Sequence, residues 1–240
     1  MVGRKSLARV VLVSAAFTAA GGTSQAQTKE RYWRVDLGVS KSVGADIRDE
    51  DYSVGEVING DPNNTTAGTL SDAGTGVVAG AGFGWQFNPR VRGDLTLGYR
   101  RYRLDTSDGS DTRFKADISS LALMVGAYYE NDAASGPWKP YIGAGLGVAR
   151  NKFGDFTGTA PGGTFSGPGG TSTGFAWMVT TGFGFLLSSR RVLDIGYRYA
   201  DLGKLETSSG NLSDGAGNLL PTSGFTGKLR AHELLVGMRF

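Results

Sequence analysis

Nine charged residues are spaced so that extended strands would gather them on one side. They are Arg34 and Asp36, Arg92 and Asp94 with Arg100, Asp194 and Arg198, and Glu233 with Arg239. Successive strand residues point to opposite faces, so even spacings share a face. The set holds five cations and four anions. If enclosed, such groups must pair with one another or hold water, because burying an isolated charge is expensive. Two chemistries follow: a salt-bridged plug, or the lining of a narrow selective channel, for which glycines on the same face would leave space.

Other reactive groups are sparse. His232 is the only histidine and cysteine is absent, which excludes disulfides and thiolate metal sites. Glu233 follows His232 directly and so points to the opposite face, and Leu234 takes the place a His-x-Ser pattern would need. Gly80-Ala81-Gly82-Phe83-Gly84 and Gly143-Ala144-Gly145-Leu146-Gly147 lack the Gly-x-Gly-x-x-Gly spacing of nucleotide loops, and their period of two suits strands. Asp49, Asp51, Asp61 and Asp72 could ligate a hard cation, but scattered carboxylates in a solvated segment more often do nothing specific. Asn64-Thr65-Thr66 fits the short N-glycosylation pattern, a weak signal. No catalytic, metal or cofactor residue is assigned.

The elements that must position these groups begin after a leader. Arg4, Lys5 and Arg9 precede a short apolar run at 10–20, and Ser24-Gln25-Ala26 resembles a small-x-small cleavage site. Residues 1–26 are thus expected to be a secretory signal peptide, and 27–240 one domain. Taking the three basic leader residues from the 25 Lys and Arg leaves 22, equal to the 22 Asp and Glu. The pI of about 9.1 therefore belongs largely to the leader, and no basic field argues for nucleic acid. No later run is long and apolar enough for a spanning helix.

Alternation predicts eight strands, near 32–43, 75–87, 91–100, 120–129, 140–149, 175–187, 193–199 and 229–240. The connections at 44–74, 154–172 and 206–226 are long and polar, and those at 88–90 and 188–190 are tight. Long loops at one end and short turns at the other are the asymmetry of a membrane barrel. Trp33, Trp85, Phe87, Tyr129, Phe185 and Phe240 would form one aromatic girdle, and Tyr99, Phe175, Trp177, Tyr197 and Tyr199 the other. On the last strand Leu234, Val236, Met238 and Phe240 share one face. The expected fold is an all-β, eight-stranded, antiparallel up-and-down transmembrane barrel.

The run at 140–149, Phe175-Ala176-Trp177 with Gly182-Phe183-Gly184, the run at 193–199 and the final Phe240 resemble the small eight-stranded outer-membrane β-barrel family, which includes proteobacterial surface antigens and proteins labelled porin family. The ending resembles the C-terminal signal read by the barrel-assembly machinery of Gram-negative bacteria, carried here by Leu234, Val236, Met238 and Phe240. The resemblance implies export through the Sec pathway, residence in the outer membrane, contact with its lipid, and loops that meet a host or envelope ligand. It implies no single activity. A structural, loop-displaying barrel is expected; a narrow porin-like channel is the alternative, and a lipid-modifying enzyme or a soluble lipocalin-like carrier is the remoter one.

Overall fold

The computed structural model describes residues 30–43, 48–49, 73–107, 113–131, 136–160, 163–188, 191–213 and 217–240. The expected leader, the Asp51, Asp61 and Asp72 carboxylates and the Asn64-Thr65-Thr66 triplet lie outside those residues. Asp49 falls in a two-residue strand, Arg48–Asp49, whose backbone pairs with Thr226 and Phe225.

Eight long strands make the wall: β1 (Glu30–Ser42), β2 (Thr75–Asn88), β3 (Val91–Ser107), β4 (Arg113–Glu130), β5 (Trp138–Phe153), β6 (Gly170–Ser188), β7 (Arg191–Glu206) and β8 (Phe225–Arg239). Each pairs antiparallel with the next. β1 pairs with β8 from Arg34↔Arg239 to Ser42↔Ala231. The sheet is thereby closed and has no free edge among its long strands. The seam ends on a reciprocal rung: the Trp33 N–H donates to the Phe240 carbonyl at 2.8 Å, and the Phe240 N–H to the Trp33 carbonyl at 3.0 Å.

The tight turn between β2 and β3 has a local cause. The Asn88 side-chain oxygen accepts the N–H groups of Arg90 and Val91, each at 2.8 Å. Its carboxamide thus takes up donors that the sheet leaves unpaired.

The strands run further at the opposite end than their alternation suggested, and the reason lies in a reversal of pattern. Along the outward face of β3, Leu95, Leu97 and Tyr99 give way to Arg101, Arg103 and Asp105, while the inward face changes from Arg92, Asp94 and Arg100 to Tyr102 and Leu104. β4 does the same, with Arg113, Lys115 and Asp117 outside and Ala116 and Ile118 buried inside. The barrel therefore has two storeys. One has an apolar exterior and a charged interior; the other is built like a soluble sheet, with a charged exterior and an apolar interior. The outward stretch from Val91 to Tyr99 is about 27 Å of strand at ~3.4 Å per residue, or roughly 20 Å of height at a ~40° tilt, close to the outward apolar band of a membrane barrel.

The segments expected as loops at 154–172 and 206–226 are largely ordered as extensions and hairpins. Phe156–Ala160 pairs with Gly163–Gly167, and Gly210–Ser213 with Leu219–Thr222. Their apolar residues turn inward. Phe156 is buried within 5.3 Å of the Phe114 ring and 5.2 Å of the Phe225 ring, centroid to centroid, and Phe165 and Leu212 are buried beside them. Together with Tyr102, Leu104, Ile118, Phe153 and Leu229 they fill the upper storey. On β7 the register shifts between Asp201 and Lys204, where Gly203 takes a positive φ of 79° and the Asp201 carboxylate accepts its N–H at 2.9 Å. This bulge carries the inward parity from Leu202 to Leu205, both buried.

Candidate functional site

All nine charged residues named from the sequence face the lumen and are buried, and the structure sorts them into two clusters. The first is a continuous chain near the end that carries the tight turns. Arg34 grips Asp36 with two bonds, Nη2 to Oδ1 at 2.7 Å and Nε to Oδ2 at 3.0 Å, and also pairs with Asp94. Arg92 reaches Asp94 at 3.0 Å and Glu130 at 2.8 Å. Arg239 joins Glu130 at 2.8 Å to Asp194 at 2.7 Å. Forked guanidinium–carboxylate pairing of this kind adds geometric specificity to charge neutralisation.

Aromatic side chains hold the chain in place. The Arg92 guanidinium carbon lies 3.8 Å from the centroid of the Tyr128 ring, with Tyr141 on a further side at 5.3 Å. The Tyr32 hydroxyl donates to Asp94 and accepts from Arg92 at 3.2 Å. Such a cation over a ring face in a desolvated site is worth about 2 kcal/mol.

The second cluster lies at mid-height. Glu233 accepts Arg100 Nε at 2.6 Å and Nη2 at 3.2 Å, Arg198 Nη1 at 3.3 Å and the Ser40 hydroxyl at 3.3 Å. Ser40 is in turn 2.7 Å from the Tyr102 hydroxyl. Two arginines share one carboxylate, and among the described residues Arg100 Nη1 and Arg198 Nε meet no hydrogen-bond partner.

Glu130 is the member the sequence reading missed. It bridges Arg92 and Arg239, and it brings the buried lumenal charges among the described residues to five cations and five anions. Its signal was present: it continues the inward parity of Met124 and Tyr128 on β4. The inward glycines fulfil the expectation only in part. A Cβ at Gly174 would meet nothing within 4 Å and one at Gly80 only ordinary contacts, but several others make clearance for large neighbours. A Cβ at Gly143 would overlap the Tyr128 ring, one at Gly84 the Tyr32 ring, and one at Gly182 or Gly196 the Tyr141 hydroxyl.

The outer wall holds little reactive chemistry. His232 lies on the outward parity of β8, bonded through Nδ1 to the Tyr197 hydroxyl and packed against the Tyr199 ring at 5.2 Å. No group of three or more His, Cys, Asp or Glu residues arranged to hold a metal occurs among the described residues. A depression of about 570 Å3 opens on the outward apolar wall, floored by Ala127, Ala144 and Thr181 between Tyr129, Ile142 and Val179; small side chains on a lipid-facing wall leave room of this kind for acyl chains. Leu234, Val236 and Phe240 are exposed on that wall, and Met238 is half-buried there.

A family model for the outer membrane protein beta-barrel domain matches residues 10–238. An uncharacterised protein of Brucella suis biovar 1 is 28% identical over 144 residues, covering 52% of this chain and 51% of that protein. The chain thus spans about half the length of the curated relatives it matches. Among solved structures, the outer membrane protein OprG from Pseudomonas aeruginosa has a TM-score of 0.54 at 17% identity, with 88% of this chain and 97% of that one covered. The outer membrane protease OmpT from Escherichia coli has a TM-score of 0.51 at 8% identity, with 91% and 98% covered. Identities this low show a shared fold, so OmpT's catalysis is not carried over. The closed wall and the match over nearly the whole length agree, and the chain belongs to the outer membrane protein β-barrel domain family.

Proposed function

We propose that this barrel of the Gram-negative outer membrane is a structural, surface-displaying protein. Residues 1–26 serve as the export leader, and the closing strand with Leu234, Val236, Met238 and Phe240 is what the barrel-assembly machinery engages. The end carrying the tight turns faces the periplasm. The charged upper storey and its hairpins stand outside the cell and present the surface that a host or envelope ligand would meet. The observation that carries this reading is the filled lumen: an ion-paired lower storey beneath an apolar plug made by Phe114, Phe153, Phe156, Phe165 and Phe225. A lumen packed this way favours a rigid pillar over a conduit.

A narrow channel is the second reading. What favours it is the mid-height cluster, in which Arg100 and Arg198 outnumber Glu233 and keep guanidinium nitrogens without a partner among the described residues.

Sidedness is tested with epitope tags. Tags at Asn63 and Gly163 are expected to bind antibody on intact cells, whereas a tag at Ser189 requires permeabilisation. A Ser189 tag readable on intact cells with the other two hidden would reverse the orientation, and tags at Asn63 and Gly163 on opposite sides would contradict the even strand count between them.

A further inference from the structure

The mid-height cluster carries one more positive charge than it neutralises. Arg100 and Arg198 share the single carboxylate of Glu233, and all three are buried. The chain nearer the tight turns does not supply the missing anion. Its carboxylates, Asp36, Asp94, Asp194 and Glu130, are each gripped by Arg34, Arg92 or Arg239. An enclosed cation without a counter-charge is expensive.

Guanidinium geometry fixes where the surplus points. Arg100 commits Nε and Nη2 to Glu233, at 2.6 and 3.2 Å. When a planar fork is used along that edge, Nη1 projects from the far side, away from the carboxylate. It hangs over Gly98, 3.1 Å from the place a Cβ would take there. Arg100 is only 2% exposed, and its Nη1 meets no hydrogen-bond partner among the described residues. A second buried donor stands beside it. Ser120 is the cross-strand partner of Arg100 on β4, and its hydroxyl also meets no partner among the described residues.

The wall beneath these two donors is made of small residues. The next inward row toward the tight turns reads Gly80, Gly98 and Ala122 across β2, β3 and β4. A Cβ at Gly80 would make only ordinary contacts. The anion along this row is Asp36, opposite Gly80. Arg34 holds both of its oxygens, and Oδ1 leans over Gly237, on the side away from Gly98. Asn151, one strand beyond Ser120, serves another purpose: its amide nitrogen clamps the Leu202 and Lys204 carbonyls at the β7 bulge.

We propose that this corner of the lumen binds one small monovalent anion of the halide class, held by Arg100 Nη1 and the Ser120 hydroxyl above Gly98. One negative charge matches the surplus that Arg100 and Arg198 leave over Glu233; a divalent oxyanion would exceed it. Enclosure strips water from the ion, which favours the weakly hydrated chloride and bromide over fluoride. The ion and Glu233 lie on opposite sides of the Arg100 guanidinium, so they do not compete for one edge of it. The site depends on the geometry of this cluster alone, whichever way the barrel faces and whether or not it conducts.

The test follows urea unfolding of the full mature chain refolded in phosphocholine micelles, with chloride varied against gluconate at constant ionic strength. A ligand that binds only the folded state raises the folded-to-unfolded ratio. For one site, each tenfold rise in chloride beyond half-saturation is expected to raise that ratio about tenfold, with bromide at least as effective and fluoride without effect. Gly98→Ala keeps every charge and puts a methyl group where the ion would sit, and it is expected to remove the dependence. Ser120→Ala should raise the chloride needed for half-saturation about tenfold, the worth of one hydrogen bond to a charged group. Arg101→Gln, half exposed on the outer wall, should leave the dependence unchanged. Wild-type stability that ignores chloride, or a dependence that survives intact in Gly98→Ala, would overturn the proposal. Were Gly98→Ala not to refold, crystals of the wild-type protein grown in bromide would decide. Anomalous bromine density touching Arg100 Nη1 is expected, and an ordered water there without anomalous signal would overturn the site.

Discussion

Glu233→Gln is expected to destabilise the barrel by about 3–5 kcal/mol, the cost of removing one partner from a buried ion pair. Glu233 is fully buried, and its two oxygens are the acceptors that hold Arg100 and Arg198. Glutamine keeps the shape and removes the charge, so the two guanidiniums would face one another in an enclosed space with no anion between them. The measurement is the midpoint of urea unfolding for the refolded protein, followed by tryptophan fluorescence. Arg101→Gln, on the exposed outer face, is the reference and should stay within about 0.5 kcal/mol. A Glu233→Gln barrel as stable as this reference would mean that the mid-height cluster is hydrated and not a structural clasp.

Val236→Arg is expected to cost about 2–4 kcal/mol, the penalty for a cation at the midplane of a barrel's lipid face. Val236 pairs with Leu37 on one side and Ile195 on the other, and all three are exposed on the outward wall. The loss should appear as reduced insertion into outer membranes and should shrink in detergent micelles, whereas Val236→Leu should insert normally. Arg239→Ala gives an instructive contrast. Its inward parity alone suggests that it should be milder for insertion than Val236→Arg. The structure shows it bridging Glu130 and Asp194, so its removal strands the buried Asp194 carboxylate and leaves Glu130 with Arg92 alone. Its cost should persist in micelles, because it arises in the lumen and not at the lipid. Equal lipid dependence of the two variants would show that the faces have been misassigned.

The membrane storey was legible in the sequence because bilayer and lumen impose opposite chemistries on alternate residues. Trp33-Arg34-Val35-Asp36-Leu37 states both faces in five residues. The upper storey was hard to read for the same physical reason inverted. Once the outer face meets water, Arg101-Tyr102-Arg103-Leu104-Asp105 still alternates, but with charges outside, and a segment rich in charges beside glycine and threonine resembles a loop when lipid-facing residues are the guide. The hairpin at Phe156–Ala160 was hidden likewise, since the inward packing of Phe156 depends on Phe114 and Phe225 from distant strands. Glu130 escaped notice as the last residue of its strand, where parity and turn composition compete. Several of the glycines were misread because a missing side chain is ambiguous from sequence: it leaves a void, as at Gly174, or admits a neighbour. Gly143 beneath Tyr128 and Gly196 beneath Tyr141 show that the neighbour decides.

Ion conductance tests most directly whether the lumen is filled. The refolded mature chain, incorporated into a planar bilayer and held at a voltage of either sign, is predicted to give no discrete current steps above the bare membrane, because Arg92, Tyr128 and Glu130 close the lower storey and Phe153, Phe156 and Phe225 the upper. Reproducible, long-lived unit conductances that change selectivity when Arg100 or Arg198 is neutralised would contradict the filled lumen and establish the channel in its place.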